Sequence, residues 1–171
     1  MLIRKKNLWY GVVLHQLVNH NCFVKLAKHQ GSIVVNDKVL IDMKYASEPI
    51  NSADEYMFTF TAQELVDHLQ SASENHLWKH HMALICGAAE VVCLLNFKEL
   101  SYAWKTYQEE RYEARAGGFE SMQLYLVPCG LKIAVAIADP SSRNTKLPLF
   151  RIRESLFPDS LFKENQLKQL D

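Results

Sequence analysis

Residues 39–47 read VLIDMKYAS, an apolar run followed by an acid and a lysine that are separated by one methionine. The run Val39-Leu40-Ile41 is rich in β-forming residues and predicts a strand. Side chains two positions apart on a strand point to the same face, so Asp42 and Lys44 are expected to lie side by side. Two interpretations follow: a catalytic half-site, or the solvated side of an edge hairpin.

The chain before this strand predicts a helix and the first arm of a hairpin. Residues 8–30 carry apolar side chains at roughly helical spacing and precede Gly31, which favours one long helix or two short helices broken near residues 19–21. A β-rich run at residues 32–35 follows, and Asn36-Asp37-Lys38 forms a short polar turn before VLIDMKYAS. Because Asn and Asp tolerate left-handed backbone, the two runs are expected to pair as a hairpin.

Two later segments share one plan, in which a strand-like run leads directly into a helix. YMFTF leads into Thr61-Ala62-Gln63-Glu64, and VVCLL leads into Asn96-Phe97-Lys98-Glu99. A capping residue followed three positions later by Glu satisfies free N–H groups at a helix start. The sequence therefore predicts helices over about residues 62–72 and 97–111.

Paired strands are expected in the remaining segments. HHMALICG and EVVCLLN predict two strands around residues 87–89, and MQLYLV and LKIAVAIA predict an antiparallel pair around a turn at residues 128–130. Residues 139–146 are expected to form a loop, and residues 152–162 a short helix or an extended segment. This order of elements predicts an α+β or α/β fold with a mixed sheet flanked by helices.

Composition favours one ordinary globular domain. The chain has 171 residues, of which 49% are apolar and 22% charged, enough to bury a full core. We expect a single α+β domain over residues 1–171, with residues 1–116 as its core and residues 117–171 as a C-terminal β pair and tail. The 19 basic and 19 acidic residues cancel, so attraction to nucleic acid through overall charge is excluded and any such binding must be local.

The cysteines and the hydrophobic runs predict the cellular compartment of the protein. Cys22, Cys86, Cys93 and Cys129 have no C-x-x-C spacing and are expected to be reduced thiols of a cytoplasmic protein. No segment approaches 18 uninterrupted apolar residues, so no membrane span and no membrane partner is expected.

The order of elements and the Asp-x-Lys pair together suggest phosphodiester chemistry. Carboxylates commonly hold Mg²⁺ in such sites, while a lysine orients the attacking water. The predicted order is a helix, strands, a helix and strands, and Asp42-Met43-Lys44 closes an early strand. Over roughly residues 8–100 this order resembles the restriction-endonuclease-like fold and its PD-(D/E)XK motif. The resemblance implies that Asp42 is the second acid of the motif and a metal ligand, and that Lys44 is its lysine.

The first acid of that motif has one upstream candidate. Asp37 precedes Asp42 by five residues, closer than the usual arrangement, and no acid lies before it. Glu48, Asp54 or Glu64 would be the substitutes if the first acid has migrated along the chain. The succession IDMKYAS, YMFTFTAQEL, ALICG and VVCLLNFKEL is also similar to a pattern in short uncharacterised bacterial proteins, which implies a shared fold and no particular reaction.

Histidines and basic residues provide weaker signals. His76 and His80 would share one face of a helix and could hold Zn²⁺, whereas a strand that begins at His80-His81 would point the two rings to opposite faces. Basic residues near aromatic ones suit nucleic acid, and otherwise they are ordinary surface cations. The residues expected at such an interface are Arg4, Lys5, Lys6, Arg111 and Arg115.

The sequence therefore predicts a small cytoplasmic bacterial or phage protein with a nuclease-like fold that acts on or beside nucleic acid. Its catalytic site is either intact or eroded. An active nuclease would use Mg²⁺, and a non-enzymatic accessory or inhibitor would need no cofactor and would bind a protein partner.

Overall fold

The computed structural model describes residues 5–20, 24–29, 31–74, 79–88, 91–113, 121–128, 132–137, 145–151, 157–158 and 161. Within these ranges the chain forms three helices and nine strands. Their order is α1 (Lys5–Val18), β1 (Leu26–His29), β2 (Ser32–Val35), β3 (Val39–Ala46), β4 (Tyr56–Thr61), α2 (Ala62–Glu74), β5 (Lys79–Cys86), β6 (Val91–Asn96), α3 (Phe97–Glu113), β7 (Ser121–Val127), β8 (Lys132–Ile137) and β9 (Thr145–Arg151). The fold is α+β, as the sequence predicts.

The first sheet is mixed and has the strand order β1-β2-β3-β5-β6. Strands β3 and β5 are parallel, and the other neighbours are antiparallel. Strand β3 is therefore an inner strand, which pairs with β5 over its whole length and with β2 over residues 39–41. The interpretation of Asp42 and Lys44 as part of an edge hairpin is wrong about the edge, which is formed by β1.

The predicted hairpin between β2 and β3 is confirmed. Asn36 and Asp37 have φ angles of 52° and 56°, the left-handed backbone that a tight turn between twisted strands requires. The Lys38 N–H closes the turn on the Val35 carbonyl at 3.1 Å.

The helix expected over residues 8–30 ends earlier than the sequence suggests. Helix α1 stops at Val18, close to the predicted break, but Leu26–His29 is a strand. This segment pairs with the whole of β2, and the Asn36 N–H bonds to the Lys25 carbonyl at 2.8 Å. Four residues are too few to distinguish the two periods, and sheet pairing overrides the helical spacing. Gly31, with φ of 98°, turns the chain into β2.

A second, antiparallel sheet has the order β4-β7-β8-β9. The predicted β7–β8 pair is confirmed, and β7 also pairs with β4 from the first half of the chain. Strand β9 begins at Thr145, so the loop expected over residues 139–146 ends earlier than predicted. Most of the segment expected at residues 152–162 lies outside the described residues.

Both predicted helix starts have the expected capping geometry. The Glu64 N–H bonds to Thr61 Oγ1 at 3.1 Å, and the Thr61 N–H bonds to Glu64 Oε2 at 2.9 Å. The Glu99 N–H likewise bonds to Asn96 Oδ1 at 3.0 Å, and the Asn96 N–H to Glu99 Oε2 at 2.8 Å. Each helix therefore begins directly at the end of the preceding strand.

Side-chain alternation places a hydrophobic cluster on each face of the first sheet. On β5, Met82 and Leu84 belong to one cluster, together with side chains of β4, β7, α2 and α3. Ala83 and Ile85 belong to the other, with side chains of α1. Cys86 and Cys93 are free and buried, as predicted, and burial raises the pKa of the Cys86 thiol to about 12. Cys22 and Cys129 lie outside the described residues.

No helix within the described ranges has the length and apolar character needed to cross a membrane.

Candidate functional site

The charged side chains of β3 meet the polar face of α2. Asp42 and Lys44 are two positions apart and point to the same side of the sheet. Glu64 and His68 are four positions apart on α2 and therefore share one face of that helix. Lys44 contacts Glu64, and Asp42 contacts His68, so strand and helix are joined by two adjacent charged or polar pairs.

The Asp42 carboxylate is held by two side chains from different elements. His68 Nδ1 donates to Asp42 Oδ2 at 2.5 Å, and the Ser32 hydroxyl donates to Asp42 Oδ1. Burial alone would raise the pKa of this carboxyl. The hydrogen bonds from His68 and Ser32, with the nearby His68 and His80, outweigh burial and hold the pKa of Asp42 below its ordinary value. Asp42 is therefore ionised at neutral pH.

The Lys44 ammonium is also fixed by several groups. Its Nζ donates to Glu64 Oε1 at 2.9 Å, to Glu64 Oε2 at 2.8 Å and to the Thr59 carbonyl at 2.8 Å. It also lies 4.9 Å from the centroid of the Phe60 ring. Although burial acts to raise the pKa of Glu64, the hydrogen bonds from Lys44 and the Thr61 N–H lower it. Glu64 therefore both caps α2 and forms an ion pair with Lys44.

These groups line a pocket of about 420 Å³ between β3 and α2. Among the described residues that line it, Asp42, Glu64 and Asp67 are acidic and Lys44 is the basic side chain apart from histidine. Three carboxylates therefore outnumber the one lysine in this lining. The pocket therefore attracts cations and repels an anion that comes without one.

Two buried imidazoles lie next to the pocket. His68 and His80 are 8% and 4% exposed, and their ring centroids are 6.0 Å apart in an edge arrangement. Within the described part of the chain, neither His68 Nε2 nor either ring nitrogen of His80 has a hydrogen-bond partner. Burial lowers the pKa of His80, and His68 lowers it further, so the ring is neutral at pH 7. His68 itself contributes to the pocket lining, although its Nε2 atom and both ring nitrogens of His80 are buried.

The zinc interpretation of the histidines receives no geometric support. His80 and His81 are consecutive residues of strand β5, so their side chains point to opposite faces of the sheet, as the strand interpretation predicts. His76 lies outside the described residues. Among the side chains that the structure describes, no group of three or more His, Cys, Asp or Glu is arranged to hold a metal ion.

The structure brings some of the predicted site residues together and separates others. Asp42 and Lys44 line the pocket with Glu64, one of the three acids proposed as a migrated partner. Asp37 is in the β2–β3 turn, where its carboxylate pairs with Lys25 at 2.7 Å and is 62% exposed. Glu48 and Asp54 do not line the pocket either.

The predicted nucleic-acid contacts cannot be placed in the same way. Arg4 and Arg115 lie outside the described residues. Lys5 and Lys6 belong to the first turn of α1 and Arg111 to the last turns of α3, and the structure describes their backbone alone.

Sequence reasoning missed Ser32 and His68, the two residues that hold Asp42. His68 follows Glu64 by one helical turn, so the shared face of α2 was a usable signal. For Ser32 the signal was the predicted β2–β3 hairpin, because the register that pairs Ile33 with Ile41 brings Ser32 opposite Asp42 at the next position. The pairing of these residues depends on how β2, β3 and α2 pack together.

Comparisons of the chain with protein-family models, with curated proteins and with solved structures found no match.

Proposed function

We propose that this chain is a nuclease-like protein that binds and hydrolyses phosphodiesters in the pocket between β3 and α2. The observation that carries the proposal is the convergence of Asp42 and Lys44 with Glu64 at one pocket. Carboxylates that hold Mg²⁺ and a lysine that orients the attacking water are the groups that the PD-(D/E)XK resemblance implies.

The order of elements supports the same proposal. Helix α1, strands β1 to β4, helix α2 and strands β5 and β6 follow one another along the chain, and all of these strands except β4 belong to the mixed sheet. That succession, with Asp-x-Lys on an early strand, is the basis of the resemblance to restriction-endonuclease-like proteins. In such proteins the acid and the lysine act together, and here they lie on one face of β3.

In this proposal Mg²⁺ would be held by Asp42 and Glu64, the two carboxylates that line the pocket beside Lys44. Mg²⁺ usually takes one or two carboxylates and completes its shell with waters and substrate phosphates, so three protein ligands are not needed. A carboxylate has about four lone-pair positions, and Ser32 and His68 use two of those on Asp42. When bound, the ion would polarise the phosphate and lower the pKa of a coordinated water.

The chain's own residues have separate tasks in this proposal. The Lys44 ammonium donates to both Glu64 oxygens and to the Thr59 carbonyl, so it would have to exchange one of these bonds to orient a phosphate oxygen or the attacking water. Asp42, Glu64 and Asp67 would repel a bare phosphodiester from the lining. Substrate binding should therefore require a divalent cation.

Cleavage assays with matched variants test the proposal. Labelled single- and double-stranded DNA and RNA are incubated with the protein in Mg²⁺ or Mn²⁺, and then in EDTA. We expect metal-dependent cleavage that is abolished in Asp42→Ala and in Lys44→Ala with the fold intact. Asp37→Ala and Lys25→Ala are the controls, because they remove an acid and a lysine that pair in the exposed turn. Equal loss in the control variants would count against the pocket.

A second candidate, an eroded nuclease fold that serves as a binding accessory, is favoured by one specific observation. Both carboxylates already have internal partners: Asp42 has Ser32 and His68, and Glu64 has Lys44 and the start of α2. In that case the side chains hold β3 to α2 and no cleavage occurs. Absence of cleavage for every substrate and metal, together with unchanged nucleic-acid or protein binding in Asp42→Ala, would support this candidate.

A further inference from the structure

We infer that Ser32 and His68 are positioning residues that orient the Asp42 carboxylate for a divalent cation. The inference rests on the proposed function, since it assigns a task to two residues beside the proposed cation ligand. Its basis is the pair of hydrogen bonds that enter one carboxylate from β2 and from α2.

Each bond approaches a different oxygen of Asp42. His68 Nδ1 bonds to Oδ2 at 2.5 Å, and Ser32 bonds to Oδ1. Together they fix the rotation of the carboxylate plane, which a single bond would leave free. An ionised carboxylate accepts and cannot donate, so the ring proton of His68 is on Nδ1.

The burial of His68 shows that it acts through Asp42. Its Nε2 atom is enclosed and has no hydrogen-bond partner among the described residues. Although His68 lines the pocket, its Nε2 atom is buried, so the ring nitrogen that it uses in a hydrogen bond is Nδ1. Its Nδ1–H has one clear task, which is to hold Asp42 Oδ2.

Such partners commonly decide how well a carboxylate binds a metal. Ligating carboxylates are themselves hydrogen-bonded, and loss of those outer partners typically costs about 10- to 100-fold in metal affinity or activity. At Asp42 the two bonds also leave lone pairs on both oxygens. Removal of either donor frees the carboxylate to rotate, and the cation then loses a pre-oriented ligand.

Mn²⁺ binding to the full chain tests this inference by a readout that does not depend on cleavage. Isothermal titration of Mn²⁺ is carried out on the wild type, Ser32→Ala and His68→Leu, with Ser32→Thr and His68→Asn as conservative variants. The Asn amide can donate from nearly the position of His Nδ1, and Thr keeps the hydroxyl. We expect Kd for Mn²⁺ to rise by about 10- to 100-fold in Ser32→Ala and His68→Leu, and to recover in Ser32→Thr and His68→Asn. Asp37→Asn, outside the pocket, should leave Kd unchanged.

Cleavage kinetics add a second readout. The Mn²⁺ concentration that gives half-maximal cleavage should rise in Ser32→Ala, while the rate at saturating Mn²⁺ changes less. If the wild type binds Mn²⁺ and both Ser32→Ala and His68→Leu retain its Kd within about twofold, the positioning role is overturned and the proposed function survives. If the wild type does not bind Mn²⁺, the proposed function fails and this inference fails with it. Ser32→Ala removes one oxygen atom, so it provides a test even if His68→Leu does not fold.

Discussion

Asp42 is the residue on which the site depends, and its charge is stabilised by the folded state. Because its folded pKa is lowered, the unfolded chain binds the proton more readily as the pH falls. The stabilisation is fully present above the unfolded value of about 3.8 and is lost as the pH falls through the lower, folded pKa. The carboxylate thus contributes to stability at neutral pH.

Replacement of Asp42 should therefore change stability in a pH-dependent way. At pH 7, Asp42→Asn is expected to lower the free energy of unfolding, because the bond from a buried His68 is weakened; leaving such a group unsatisfied typically costs about 1–3 kcal/mol. The difference between wild type and variant should shrink as the pH drops below about 3.8. Urea unfolding at pH 7, 5 and 3 measures it. A difference that is the same at all three values would contradict the assigned cause.

The predictable part of the site is the part encoded within single elements. Alternation along β3 was enough to place Asp42 beside Lys44, because that spacing is a property of any strand. The contact with Ser32 follows from the register of the predicted β2–β3 hairpin, whereas the contact with His68 was not predictable, since it depends on the approach of α2 to β3. Asp37 shows the reverse case: its chemistry was suitable, but the turn directs it towards Lys25 and away from the pocket.

At the scale of elements, the capping boxes at the starts of α2 and α3 differ in their contacts with the pocket. The Asn96–Glu99 box closes the start of α3 and has no contact with the pocket, whereas Glu64 in the other box also holds Lys44. A stability measurement at Asn96 is therefore a clean measure of helix capping. The same change at Glu64 would combine capping with the site.

Asn96→Ala should lower the free energy of unfolding by about 1 kcal/mol, because the Glu99 N–H loses its acceptor. Asn96→Asp should retain most of the stability, since aspartate is an equally good cap. Chemical denaturation of the three proteins measures both effects. Equal stability of Asn96→Ala and the wild type would mean that water replaces the cap at no cost.

Element boundaries were predicted best where local chemistry determines them. Thr61 and Asn96 marked both helix starts to the residue, because a cap is a property of a few neighbouring positions. The Leu26–His29 strand was missed, because its identity comes from pairing with β2 rather than from its own sequence. Strand β9 was likewise outside what local patterns indicate, since it exists as a partner of β8.

At the scale of the whole molecule, β4 connects the two halves of the chain. Its antiparallel partner β7 contributes Met122, Leu124 and Leu126, all fully buried, to the cluster that also contains Tyr56 and Phe60. Residues 1–116 were expected to form the core of a single domain, and residues 117–171 a C-terminal β pair and tail. The β4–β7 ladder shows that the later strands complete a core to which the earlier residues contribute.

A chain that ends at residue 116 should therefore not fold as a stable unit. It lacks three large side chains of the cluster and leaves β4 without its ladder, and each lost large side chain is typically worth about 2–5 kcal/mol. We expect non-cooperative thermal unfolding by circular dichroism and dye binding to exposed apolar surface. A sharp, cooperative transition for the shortened chain would show that residues 1–116 form an independent domain.

The β4–β7 ladder also has a consequence for biosynthesis. The ribosome completes the partner strand at Ser121–Val127 66 residues after it completes Tyr56–Thr61. Translation adds roughly 5 to 20 residues per second, so the growing chain carries an unpaired apolar strand for several seconds. Unpaired strands of this kind are templates for contact with other chains. Slower translation prolongs that interval, and the yield of native protein should fall with it unless a chaperone covers the strand.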